Sequence, residues 1–301
     1  MAFATCIWPR RVAASRGGRL LPLLLACIIA AQAAPPRRVV SLVPSLTEST
    51  AALGAGALLV GRSRYCLRPA WVRRLPEVGG YVDPSWEAIL GLTPDLLLLT
   101  PESRESARRA RALGIPVLSL GQNRLEEVLG GLEELGSALG RAQRGRQLAD
   151  SLRQGMAALR HRAALRKGPR PRVLLVADRP PLAGPPRDLW VIGRGSWLSD
   201  VLEAMGAVNA AGALAPAQPM LSREGLAALD PDWIVELWPG PPAGRSLRQL
   251  EDDWQAFPEL GAVRAGQVRS LGNDALLLPG PRLLEAAQVL ESLLYPAASR
   301  Q

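Results

Sequence analysis

Short apolar runs punctuate the chain from residue 39 onward. Val39–Val43, Leu96–Leu99, Val117–Leu120, Val173–Val176 and Trp233–Val235 are bounded mostly by proline, glycine or charged residues and read as buried strands. Between them apolar residues recur at helical spacing. The stretch Leu125 to Lys167 contains no proline and is rich in Leu, Ala, Arg, Glu and Gln. It reads as helix, in two pieces near Gly140, and Lys167-Gly168-Pro169 ends it. Strands alternating with helices predict an α/β fold with mainly parallel sheets.

The pattern is duplicated. Ser85-Trp86-Glu87-Ala88-Ile89-Leu90-Gly91-Leu92-Thr93-Pro94-Asp95-Leu96-Leu97 aligns without gaps on Ser222-Arg223-Glu224-Gly225-Leu226-Ala227-Ala228-Leu229-Asp230-Pro231-Asp232-Trp233-Ile234. Weaker matches keep the same order: Leu46-Thr47-Glu48 with Leu198-Ser199-Asp200 before it, and Ser119-Leu120-Gly121 with Ser270-Leu271-Gly272 after it. In each unit the serine is an expected N-cap, the glutamate lies in the first turn, and the proline stops the helix before a buried strand. Two lobes of one design follow, at 34–139 and 168–301, joined by a linking helix at 140–167.

The first thirty-three residues have a different texture. Arg10, Arg11, Arg16 and Arg19 precede Leu20–Ala31, an apolar run too short to span a bilayer, and Ala31-Gln32-Ala33 fits a cleavage site. Residues 1–33 read as a signal peptide, which places the mature protein in the periplasm. Leu24-Leu25-Ala26-Cys27 also resembles a lipoprotein box with a lipid anchor on Cys27, although Ile28 and Ile29 continue the apolar run beyond it. Losing the four arginines lowers the formal charge from +9 to +5.

Composition removes whole classes of chemistry. One histidine, His161, and three cysteines, Cys6, Cys27 and Cys66, form no cluster with zinc or iron–sulfur spacing. A Ser-His-Asp or Cys-His enzyme would need His161, which lies in a charged helical stretch. Cys66 reads as a small, partly buried apolar residue. The arginines are scattered among acids rather than gathered into a nucleic-acid-binding stripe. No enzyme activity, resident cofactor or metal site is expected, and monomer is the default state.

Four stretches resemble a known family. Arg38-Val39-Val40-Ser41-Leu42-Val43-Pro44-Ser45-Leu46-Thr47-Glu48, Leu75-Pro76-Glu77-Val78-Gly79-Gly80-Tyr81-Val82-Asp83-Pro84-Ser85, Gly193-Arg194-Gly195-Ser196-Trp197-Leu198 and Pro279-Gly280-Pro281-Arg282-Leu283 are similar to solute-binding proteins of the iron-siderophore/cobalamin class of ABC importers. The likeness covers nearly all of residues 37–296. It implies two Rossmann-like lobes, a rigid backbone helix, a ligand in the cleft between the lobes, and a dimeric permease in the inner membrane as partner. In this class one surface glutamate per lobe docks on the permease; by position these are Glu87 and Glu224. Two equivalent carboxylates on equivalent lobes suit a two-fold partner, while first-turn glutamates also serve the helix dipole alone.

The mature chain holds seven tryptophans and one phenylalanine, Phe257. Indole and phenol rings suit a large, flat, partly polar ligand, and they equally suit cores. Ligands of α/β lobes meet the loops beyond the carboxyl ends of strands. On that basis Tyr65, Tyr81, Trp190, Trp197, Trp238 and Asp274 are the ligand-binding candidates, with Tyr65 following the Val60-Gly61-Arg62 turn. Cobalamin is the expected cargo, since it needs aromatic walls and no protein metal ligand. A ferric siderophore would call on Arg62, Arg64, Arg68 and Arg194, and haem would use Tyr81 as an axial ligand. Where cobalamin binders carry Asp-Tyr-Pro, this chain has Cys66-Leu67-Arg68-Pro69. A ligand-sensing module and a metallocofactor enzyme are the readings from other classes.

Overall fold

The computed structural model describes residues 34–179, 184–242 and 244–296. The expected export segment, with Cys27 and the Ala31-Gln32-Ala33 site, lies outside them. The first half runs β1 (Val39–Ser41), α1 (Pro44–Ala52), β2 (Leu59–Arg62), α2 (Trp86–Gly91), β3 (Leu96–Leu99), α3 (Arg104–Ala112) and β4 (Val117–Ser119). Its four strands are parallel in the order β2-β1-β3-β4. Val60-Gly61-Arg62, expected as a turn, belongs to strand β2. A four-residue strand with a central glycine carries little β propensity of its own and forms because the β1 edge is there to pair with.

Two helices follow, α4 (Leu125–Ala138) and α5 (Ala142–Leu165). The second half runs β5 (Arg172–Asp178), β6 (Leu189–Val191), α6 (Trp197–Ala204), β7 (Val208–Asn209), β8 (Met220–Leu221), α7 (Arg223–Leu229), β9 (Trp233–Trp238), α8 (Leu247–Asp252), α9 (Gly261–Arg264), β10 (Val268–Gly272) and α10 (Leu283–Leu294). Here β7, β5, β9 and β10 repeat the parallel order of the first sheet. An antiparallel β6–β8 pair is added at the carboxyl-terminal end of β5. The architecture is α/β with two Rossmann-like sheets.

The repeat seen in the sequence is a repeat in space. Ser85 accepts a hydrogen bond from Ala88 N, and Ser222 accepts one from Gly225 N, each at 3.3 Å. Thr93 and Asp230 occupy equivalent left-handed positions, at φ 43° and 35°. Each precedes a proline, which bars the right-handed helical conformation and ends the helix. The aspartate after the proline has a shared task. Asp95 accepts from the backbone N–H groups of Arg37 and Arg38 at 2.7 and 2.8 Å, and Asp232 accepts from Arg172 N at 2.7 Å. Each unit thus pins the start of the neighbouring central strand.

The helical stretch breaks near Gly140 as expected, and its two pieces, α4 and α5, form a hairpin. Gly136 and Gly145 let the backbones of α4 and α5 touch: a Cβ on Gly136 would lie 2.9 Å from Gly145 Cα. One end of the hairpin, at Leu135 and Leu139, packs into the core of the first sheet with Val39, Leu53 and Leu98. The other end, with Leu125, Leu129, Leu132, Leu152, Met156 and Leu159, packs into the largest core cluster with β5, α6 and α10. The boundary at 139/140 therefore falls inside one packing unit, and from Pro35 onward the chain is compact as a whole.

The second lobe also buries charge. Arg179 and Glu236 are 0% and 1% exposed, with Arg179 Nε 2.5 Å from Glu236 Oε1. Glu236 accepts from Trp254 Nε1 at 2.9 Å, Ser270 Oγ at 2.7 Å and Trp238 Nε1 at 3.3 Å. Asp253 also pairs with Arg179, at 2.9 Å. Burial pushes the Glu236 carboxyl up, against the pull of Arg179 and its hydrogen-bond donors.

Removing one partner of such a pair strands the other charge. Glu236→Gln is expected to lower stability by about 3 kcal/mol. Asp95→Ala and Asp232→Ala, which lose exposed strand-start bonds, are expected to cost about 1–2 kcal/mol each. Urea denaturation of the three variants checks the ranking.

Candidate ligand cleft

Contacts between the lobes join the carboxyl ends of their sheets. At the β4 end, the Trp197 N–H donates to the Asn123 carbonyl, and Leu125 N donates to Asp200 Oδ2 at 2.8 Å. At the opposite end, the loop after β2 meets the loop after β10 through Arg68 Nε and Asp274 Oδ2, 2.5 Å apart. Between them Gly280 sits against Ser45 and Ser49 of α1. The strand ends of the two sheets thus face one another across a cleft, where ligands of open α/β sheets bind.

Two exposed tyrosines lie in the segment between β2 and α2 of the first lobe. Tyr65 and Tyr81 are about half exposed and pack edge to face, with ring centroids 6.4 Å apart at 64°. Arg64 Nη2 lies 2.8 Å from Asp83 Oδ2, and the Arg64 guanidinium lies 5.9 Å from the Tyr65 centroid, so one residue ties the two tyrosine loops together. Gly79 makes the turn possible: its φ is +88°, and a Cβ there would lie 2.7 Å from Asp83 O. On the second lobe Trp190 is exposed in the middle of β6, directly opposite the exposed Met220 on β8.

Three other predicted ligand residues are placed differently. Trp197 is only 5% exposed and packs in the largest core. It reaches the cleft only as part of the lining of a cavity of about 200 Å³. Trp238 is 8% exposed, and its indole N–H is engaged by Glu236. Both rings sit where a strand end or helix start turns back into the core, so they support the cleft rather than forming an open wall. Asp274 lies in the cleft region, but both its carboxylate oxygens are held by arginines: Oδ2 by Arg68 and Oδ1 by Arg282 at 2.8 Å. Partial burial would raise this carboxyl; Arg282 and Arg68 outweigh that and hold it below the ordinary aspartate range.

Residues not singled out from the sequence line the cavity. Thr100, Glu102, Gln122 and Asn123 come from the loops after β3 and β4, and Ser196 and Gln218 from the second lobe. Partial burial opposes ionisation of Glu102, yet its own backbone N–H, Thr100 and Asn123 keep its carboxyl below the ordinary glutamate range. Their position just past strand carboxyl ends was the available signal, but side-chain type alone did not distinguish them from loop surface.

The remaining expectations are located as follows. Glu87 and Glu224 are exposed at equivalent first-turn positions of α2 and α7. The Glu224 carboxyl is lowered first by its own backbone N–H and then by the Ser222 hydroxyl. Trp86, beside Glu87, stacks with Arg109, whose guanidinium is 5.3 Å from the ring centroid. His161 is exposed on α5. Cys66 is fully rather than partly buried, 3.1 Å from the hydroxyls of Thr47 and Ser63, and burial raises its thiol. Among the described residues no group of His, Cys, Asp and Glu has the arrangement of a metal site.

The arginines offered for an anionic ligand are engaged by the protein itself. Arg62 is buried, donating to Ser63 O at 2.9 Å and lying 3.5 Å from Glu77; Arg64 pairs with Asp83, and Arg68 with Asp274. Arg194 donates to Ala213 O at 3.2 Å.

Comparison with known proteins agrees with this fold. The family described as "Periplasmic binding protein" matches residues 39–275. An uncharacterized ABC transporter substrate-binding lipoprotein, YvrC, of Bacillus subtilis (strain 168) is 28% identical over 269 residues, covering 87% of this chain and 81% of the relative. The crystal structure of the periplasmic vitamin B12 binding protein BtuF of Vibrio cholerae is 28% identical with a TM-score of 0.71, over 89% of this chain and 99% of that one. A periplasmic heme binding protein from Pseudomonas aeruginosa is 29% identical with a TM-score of 0.73, over 87% and 94%.

Trp197→Ala tests the placement of that ring. It is expected to lower stability by about 3–5 kcal/mol in urea denaturation, because the indole fills core volume.

Proposed function

The chain belongs to the periplasmic binding protein family, and we propose that it captures cobalamin or a related corrinoid in the cleft between its lobes. Its role is that of the extracytoplasmic substrate-binding component of an ABC importer, which works with a membrane permease. The observation that carries the corrinoid reading is the neutralisation of the cleft's cations. Arg62, Arg64 and Arg68 are each matched by a carboxylate, at Glu77, Asp83 and Asp274. An anionic chelate would have to break those pairs to gain its own. A corrinoid ring bearing amides needs apolar faces and neutral hydrogen-bonding groups, which Tyr65, Tyr81, Trp190, Gln122, Asn123 and Gln218 supply. The resemblance to a vitamin B12 binding protein supports the same reading.

Haem is the second reading. The exposed phenol of Tyr81 favours it, as a group able to ligate iron, and so does the likeness to a heme binding protein. His161, exposed on α5, offers no second ligand toward the cleft.

The loaded protein docks on a permease dimer through Glu87 and Glu224. Support comes from their equivalence: the two aligned helices present the same carboxylate at the same turn. The protein reaches the periplasm by a cleaved export segment at residues 1–33, works as a monomer and carries no resident cofactor or enzymatic activity.

Titration of the purified exported protein with cyanocobalamin, followed by tryptophan fluorescence and calorimetry, is expected to show saturable one-to-one binding. Tyr81→Ala should weaken it by about 1–2 kcal/mol. Saturable binding of haem without cyanocobalamin binding would replace the corrinoid reading with the second. Charge reversal at both Glu87 and Glu224 is expected to abolish uptake in cells and leave the affinity of the purified protein unchanged. A loss of affinity in that double variant would remove the docking assignment.

A further inference from the structure

Four charged side chains form a line of alternating sign across the two lobes. Arg68 Nε is 2.5 Å from Asp274 Oδ2, Asp274 Oδ1 is 2.8 Å from Arg282 Nη1, and Arg282 grips Glu48 with Nε and Nη2 at 2.8 and 3.0 Å. Arg68 and Glu48 belong to the first lobe; Asp274 and Arg282 belong to the second. The two outer links therefore cross between lobes, joining residues 206 and 234 positions apart in the chain.

The chemistry of the line is that of a fastener. Arg282 uses its planar fork to hold one carboxylate bidentately and a second one singly, a geometry that fixes direction as well as distance. The Glu48 side chain is 7% exposed, so little water is available to replace Arg282. The Arg282 guanidinium is held in its charged form by Glu48 and Asp274 against the effect of its own burial. At the β4 end of the cleft, by contrast, the lobes are joined through backbone N–H donors, at Trp197 and Leu125. Arg68 lies in the same loop as Tyr65, and Asp274 follows β10, so the line connects the Tyr65 loop of one lobe to the strand ends of the other.

We propose that Glu48, Arg282, Asp274 and Arg68 are positioning residues: they set the spacing of the lobes at which the cleft binds its cargo, without touching it. Asp274 thereby changes role from ligand contact to the central member of an interlobe fastener. The alternative is that Asp274 contacts the ligand directly, and the far end of the line separates the two. Glu48 sits on α1, linked to Asp274 only through Arg282, and its neutralisation alters the spacing without removing an Asp274 contact.

The test has two arms, and only the second rests on the corrinoid reading. In the first, spin labels on cysteines introduced at the exposed Ala112 and Ala265, one per lobe, report the interlobe distance distribution by double electron–electron resonance. Glu48→Gln and Arg282→Gln are expected to broaden that distribution, and Arg282→Lys to restore part of it. In the second, the same variants and Asp274→Asn are expected to weaken cyanocobalamin binding by about tenfold. A distribution as narrow as that of the unaltered protein in Glu48→Gln would overturn the proposal. So would a loss of affinity confined to Asp274→Asn. Should the Glu48 and Arg282 variants fail to fold, Arg68→Gln, whose side chain is 55% exposed, carries both measurements, with the same broadening expected and an unchanged distribution overturning the proposal. If the unaltered protein binds no cyanocobalamin, the corrinoid reading falls, and the distance arm decides the positioning role alone.

Discussion

The α4–α5 hairpin is the constraint on which the rest of the molecule depends. Its Leu135 and Leu139 are buried with the first sheet, and its Leu125–Leu132 and Leu152–Leu159 faces are buried with the second. A single helix spanning two lobes can still roll at either end. Two helices in backbone contact at Gly136 and Gly145, each contributing to a core, resist rolling because any rotation opens packed apolar surface to water. The hairpin therefore ties both sheets into one packed unit.

The same economy appears in the duplicated unit. Its serine caps a short helix, its pre-proline residue ends that helix in the left-handed region, and its aspartate pins the next strand's neighbour. One thirteen-residue pattern so places one glutamate in the first turn of each of two equivalent helices. A symmetric partner can read such a pair only if both lobes are held in constant relation. The hairpin provides that relation through its packing, and the Glu48–Arg282–Asp274–Arg68 line does so through charge.

Charge is the property most changed by folding. The chain carries an excess of arginine, and several of those arginines lie in the cleft loops. In the folded protein Arg62, Arg64, Arg68 and Arg282 lie against Glu77, Asp83, Asp274 and Glu48. Tyr65, Tyr81 and Trp190 remain exposed. A positive formal charge thus coexists with loops whose arginines are matched by carboxylates.

The amino-acid sequence by itself determined the α/β class, the strands β1, β3, β4, β5 and β9, the internal repeat with its caps and stops, and the first-turn positions of Glu87 and Glu224. These are local properties, set by apolar periodicity, turn chemistry and spacing within a few residues. Only the tertiary structure decided the rest. Strands β7 and β8, two residues each, are too short to carry a signal, β2 is interrupted by a glycine, and all three exist because a neighbouring edge needs partners. Trp197 and Trp238 turn inward because the chain re-enters the core at the ends of their elements. Asp274 finds its partners 206 positions away in Arg68 and across the next turn in Arg282, whose other partner, Glu48, is 234 positions distant. Ion pairs at such separation have no periodicity or spacing to betray them, and they form only when packing brings two lobes edge to edge.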